Sequence, residues 1–169
     1  DVDIAIFRNE YNDNFYEHMN GAKDGSYLYK DEGLLASKGY TYEFVCEDNL
    51  ALDTSVIKDG VLCADGPAYK ALFIHNQSYM SVTAAQRILE YAKAGLPIVM
   101  IGDAPSLATN LNGLEESTAQ LKSLMDELLN LSNVVQVSGY TDVPDALAQM
   151  DVLPDTLFSQ NEHVLTVHR

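Results

Sequence analysis

The sequence predicts an α/β fold: a doubly wound, mostly parallel sheet of five to six strands between helical layers, a flavodoxin-like or Rossmann-like three-layer sandwich. Three observations predict it. Residues 70–101 spell a strand, a helix and a second strand with short connections, the signature of a parallel βαβ crossover. Strand-like and helix-like segments alternate along the rest of the chain. No repeat, low-complexity linker or charge block interrupts the 169 residues, a length that suits one domain, here expected to be residues 1–169.

Asp3-Ile4-Ala5-Ile6-Phe7 reads as a first strand, apolar enough for burial on both faces. A polar, aromatic-rich loop follows from Arg8 to about Gly25. Ser26 to Lys38 is expected to be helical, with Ser26 as N-cap and Gly39 as the stop. Thr41-Tyr42-Glu43-Phe44-Val45 has β-propensity and alternation. Asp59-Gly60 between two short β-prone pieces predicts a hairpin over 56–62, because both residues tolerate the positive φ of a primed turn. Gly66-Pro67 marks another turn.

The βαβ unit begins with the strand Lys70 to His75 and the polar loop Asn76-Gln77-Ser78-Tyr79. Ser81 is positioned to cap a helix whose Ala85, Ile88, Leu89 and Ala92 form one stripe. Gly95 stops that helix, and Pro97 to Ile101 forms the next strand, ending at Gly102-Asp103. A helix over Ser117–Leu131, with Leu121, Leu124, Leu128 and Leu131 on one side, leads to the strand Val134–Val137. A short helix over Asp142–Met150 tolerates Pro144 in its first turn, and His163 to His168 reads as a final strand. The expected strand order is 2-1-3-4-5.

Composition excludes several partners. Ten basic residues against 25 acidic ones give a net charge of −15, which repels nucleic acid and anionic membrane surfaces. The acidity itself is read as solubility, since no D-x-D-x-D-G loop supports calcium binding. Apolar runs fall short of the ~20 residues a membrane span requires. No segment has the layout of a signal peptide, so the compartment is open. A start at Asp1 without methionine, directly into a strand, is what an excised piece of a longer protein would show. Cys46 and Cys63 lack C-x-x-C spacing, so zinc and thioredoxin-type chemistry are not expected, and two buried free thiols are.

Ligands in doubly wound sheets bind at the carboxyl ends of the strands. His75, Asn76, Gln77 and Asp103 fall there, and are the candidate binding residues, for a sugar hydroxyl or a facing domain. The same residues also suit the plainer task of capping strand ends, which weighs more heavily. Tyr11, Tyr16, Tyr27 and Tyr29 could stack on sugar rings, though tyrosine is common at half-buried edges. No G-x-G-x-x-G follows a strand and no P-loop occurs, so no nucleotide cofactor is expected. A receiver domain would need an acidic residue where His75 stands. A nucleophile elbow would need Ser or Cys in the turn after Ile101; that turn reads Gly102-Asp103-Ala104-Pro105, and Ser106 comes late. The four histidines (His18, His75, His163, His168) thus lack a nucleophile to serve. No catalytic residue and no metal ligand set is assigned.

Several segments together resemble a known family. Gly60-Val61-Leu62, Tyr69 to Ile74, Tyr79-Met80-Ser81 and the helix running into Ala94-Gly95-Leu96-Pro97-Ile98-Val99 look like a recurring stretch of large glycosidases. They are similar to the glutamine-amidotransferase-like domain of α-L-rhamnosidase-like proteins, glycoside hydrolase family 106. Val164 to Arg169 resembles the stretch that, in that family, leads into a β-sandwich domain. The resemblance implies a non-catalytic accessory domain whose partners are the catalytic barrel and the β-sandwich of its own chain, or a second copy in a homo-oligomer. It also implies that the amidotransferase nucleophile would fall at Gly102, where no nucleophile exists, and that the glycosidase carboxylates belong to the absent barrel. Two rivals stand beside this reading: a sugar or small-molecule binding module at the strand ends, and a hydrolase using Ser106 with a histidine.

Overall fold

A computed structural model describes residues 1–9, 33–110 and 112–155. The first-loop tyrosines, the Ser26 cap, His18, His163, His168 and the predicted strand 163–168 lie outside the described residues. Five parallel strands form the main sheet: β1 (Ile4–Phe7), β2 (Tyr42–Val45), β5 (Ala71–His75), β7 (Ile98–Ile101) and β9 (Val134–Val137). Their order is β2-β1-β5-β7-β9, the 2-1-3-4-5 winding expected from the sequence.

The central strands β1, β5 and β7 are buried at every position, as parallel strands covered on both faces must be. Alternate residues serve opposite faces. Phe7, Leu72, Ile74, Ile98 and Met100 share one core with α3 (Val82–Lys93) and α4 (Leu114–Leu129). Ile4, Ile6, Phe73, Val99 and Ile101 share the other core with α1 (Leu34–Ser37) and α5 (Val143–Gln149). The result is a three-layer α/β sandwich.

The local signals explain most boundaries. Ser81 Oγ accepts the Ala84 N–H at 2.9 Å and starts α3. Gly95, at φ +103°, ends it. Asp59 (φ +53°) and Gly60 (φ +79°) make the tight turn between β3 (Ile57–Lys58) and β4 (Val61–Leu62). Pro144 sits in the first turn of α5, where its missing N–H is harmless.

Four expectations need correction. The helix expected to run through Gly33 begins only at Leu34, because Gly33 is extended (ψ 171°) and acts as N-cap. Tyr79, expected in a loop, starts β6 (Tyr79–Met80), which pairs in parallel with β8 (Leu107–Ala108); two-residue strands are too short to read from alternation. The helix expected over 117–131 runs from Leu114 to Leu129, with Met125 rather than Leu131 beside Leu121 and Leu128 in the core. Both cysteines are free but half-buried rather than buried. Cys46 instead caps a short helix, α2 (Glu47–Leu50), its backbone N–H donating to Asn49 Oδ1 at 2.9 Å.

The amino edge of the sheet is tied by Asp3, only 1% exposed. One carboxylate oxygen accepts the Thr41 N–H and hydroxyl, each at 2.9 Å. The other accepts Lys70 Nζ at 2.8 Å. Lys70 also donates to the Leu153 carbonyl at 3.0 Å and to the Asp155 carboxylate. The starts of β1, β2 and β5 and the chain after α5 thus converge on one ion cluster. Burial alone would lower the Lys70 pKa, but hydrogen bonds with Asp155 and Asp3 outweigh it and hold the ammonium above its ordinary value. Its contribution is therefore complete below the ordinary lysine value of about 10.5 and fades only as pH rises through the higher folded value. Lys70→Ala should leave the Asp3 carboxylate buried without its cation and destabilise by about 2–3 kcal/mol, less than a fully buried pair because Lys70 is partly solvated. Urea unfolding at neutral pH measures this; a loss below ~0.5 kcal/mol would remove the cluster from the stability argument.

Candidate functional site at the carboxyl edge of the sheet

At the opposite edge, neighbouring strands end in left-handed residues. β5 ends at His75 and turns through Asn76 (φ +46°), whose N–H donates to the Ile101 carbonyl at 2.8 Å. β7 ends at Ile101 and turns through Gly102 (φ +81°), whose N–H donates to the Val137 carbonyl at 2.9 Å. Asparagine tolerates this conformation and glycine adopts it freely. The Asn76 amide then lies across Gly102. A Cβ built on Gly102 would fall 1.8 Å from Asn76 Oδ1 and 2.9 Å from its amide carbon.

Asn76, Gly102 and Asp103 line an open cavity of about 470 Å³ together with Gln136, Val137 and Ser138 from the end of β9. Gln136 Nε2 donates to the Gly102 carbonyl at 2.8 Å, which fixes the amide and turns its oxygen to other donors. Two of the four candidate residues, Asn76 and Asp103, are thereby brought together. The other two lie beneath the surface. His75 is 8% exposed at the end of β5. Gln77 is 4% exposed and turns towards β1, donating Nε2 to the Phe7 carbonyl. Because that carbonyl can only accept, the Gln77 oxygen must face the other way, and among the described residues it has no hydrogen-bond partner. Gln136 and Ser138 had a readable signal: they follow the same strand-end rule as Asp103, applied one strand further along.

Among the described residues the lining offers amides, a carboxylate and a hydroxyl and no basic side chain, a set that exchanges hydrogen bonds with neutral hydroxyl groups rather than favouring anions. It does not form a nucleophile elbow. An elbow places the nucleophile directly before a helix, whereas here irregular chain and β8 separate Gly102 from α4, which starts at Leu114. Among the described residues, no three His, Cys, Asp or Glu side chains gather to hold a metal ion, and no helix is long and apolar enough to cross a membrane.

Residues 12–169 match the sequence profile of the α-L-rhamnosidase family, glycoside hydrolase family 106. The chain belongs to this family. The fold of this rhamnosidase-family chain is similar to part of a solved rhamnosidase from Novosphingobium sp. PP1Y, with a TM-score of 0.56 and 21% identity over 96% of the present chain. It spans only 15% of that rhamnosidase's length. No curated protein sequence matches it.

Gly102→Ala should cost about 1–3 kcal/mol, combining the left-handed backbone penalty with displacement of the Asn76 amide. Adding Asn76→Gly should restore the steric part and leave about 1–2 kcal/mol from the backbone alone. Denaturant unfolding of Gly102→Ala, Asn76→Gly and the double variant tests this; strictly additive losses would show that the two residues do not compete for one space.

Proposed function

We propose that this chain is a non-catalytic accessory domain of a multidomain glycoside hydrolase that acts on α-L-rhamnosides. Its role is to pack against the catalytic barrel and the β-sandwich of the same protein, or against a second copy, and to support the loops around the active site. The observation that carries the reading is Gly102. In amidotransferase-like domains the strand-end turn presents the nucleophile; here that position has no side chain, and the Asn76 amide lies where one would project. Membership of the rhamnosidase family and the small share of the related rhamnosidase that it spans support a part that works beside a catalytic unit.

A second reading, a sugar-binding module, draws on the polar lining of the carboxyl-edge cavity, with Asn76 and Asp103 as its contacts and His75 and Gln77 beneath them. One experiment addresses both. The purified chain is given an aryl α-L-rhamnoside while product release and thermal stability are followed. The accessory reading expects no turnover above background and no stabilisation. A saturable stabilisation lost in Asp103→Ala would favour the binding module, and turnover at an enzyme-like rate would overturn both.

A further inference from the structure

A second cavity lies elsewhere, beside the edge strand β2. It measures about 640 Å³, within the range of about 300–1,000 Å³ typical of small-molecule sites. We propose that this cleft is a binding site for a small organic cation, an apolar body carrying one ammonium or guanidinium group.

Its walls are built in advance. The loop from Leu50 to Val56 is held by Tyr91, a buried side chain of α3 whose hydroxyl lies 2.6 Å from the Leu50 carbonyl and 2.8 Å from the Ser55 carbonyl. Ser55 Oγ adds a bond of 2.6 Å to the Asn49 carbonyl. The facing wall follows β4, where Leu62 and Tyr69 exchange two backbone hydrogen bonds of 2.9 Å. Between them the chain turns through Cys63 (φ +54°) and Ala68 (φ +62°), neither of which favours that conformation. Such strain costs about 1–2 kcal/mol per residue and persists only where the surroundings enforce it.

The lining fits an apolar group. Leu50 and Leu62 are buried in it, while Leu52 and Val56 open onto it with 56% and 55% of their surfaces exposed. Two large apolar side chains left half uncovered at one cleft offer contact surface to an apolar group. The charges fit a cation. Among the described lining residues Glu43, Asp53 and Asp65 stand against one base, Lys58, whose Nζ lies 3.5 Å from Asp65. Tyr69 donates to Glu43 at 2.7 Å, and burial first, then this carboxylate, raises the phenol pKa, so the hydroxyl stays a fixed donor.

The test uses three probes with one apolar body: phenethylamine, 2-phenylethanol and 3-phenylpropionate. Each is titrated into the ¹⁵N-labelled 169-residue chain and followed by amide shifts. The amine should saturate shifts at Leu52, Val56 and Cys63 and bind at least about threefold more tightly than the alcohol, as partly exposed charge pairs allow. The carboxylate should bind most weakly, and salt should narrow the gap. Asp53→Asn with Asp65→Asn should bring the amine to the level of the alcohol while leaving the alcohol's binding unchanged, which separates lost charge from lost fold. Absence of saturable shifts at these residues, or equal binding of all three probes, overturns the proposal.

Discussion

A parallel sheet has no hairpins to set its register, so the alignment of its strands must be specified by contacts between residues distant in sequence. In this protein Asp3 supplies them for β1, β2 and β5. Its buried carboxylate accepts from Thr41, at the start of β2, and from Lys70, at the start of β5, so three strand starts are aligned by one side chain. A carboxylate this deeply buried is costly unless every lone pair finds a donor, and any slip of register would break that match. The same lysine holds the Leu153 carbonyl and brings the chain after α5 back beneath the sheet.

With the amino edge fixed, the opposite edge is free to diverge. Asn76 and Gly102 leave adjacent strands in left-handed turns, and the amide of one covers the Cα of the other. Related α/β folds place reactive groups at such turns. Here the space that a side chain at Gly102 would need is occupied by the Asn76 amide, and the polar groups around it can form hydrogen bonds. The arrangement is consistent with a family member whose contribution is structural, and the proposal rests on that geometry more than on the fold, which hosts many functions.

The repeating, local part of the architecture was legible in the sequence. The βαβ unit, the Ser81 cap and the Asp59-Gly60 turn all follow from patterns that span a few dozen residues. What was not legible depends on long-range pairing. Asp3 reads only as the first residue of a strand, because its partners lie 38 and 67 residues away. The cleft beside β2 is not legible in the sequence, because Tyr91, which shapes it, reads as one more residue of an amphipathic helix. His75 and Gln77 read as pocket residues from their place at a strand end, yet alternation and the Phe7 carbonyl draw them beneath the surface. Strand-end position was a sound guide to where polar residues gather, but not to which of them face outward.

The central claim, that this domain supports hydrolysis without taking part in it, is tested most directly in the intact protein. Asn76→Ala with Asp103→Ala would be introduced together, and rhamnoside hydrolysis compared with wild type at matched folding. The account predicts kcat/KM within about twofold of wild type, since on the proposed reading neither side chain meets the reacting bond. A loss of about 100-fold or more, with the melting temperature unchanged, would mean that the carboxyl edge contributes to transition-state stabilisation and would contradict it.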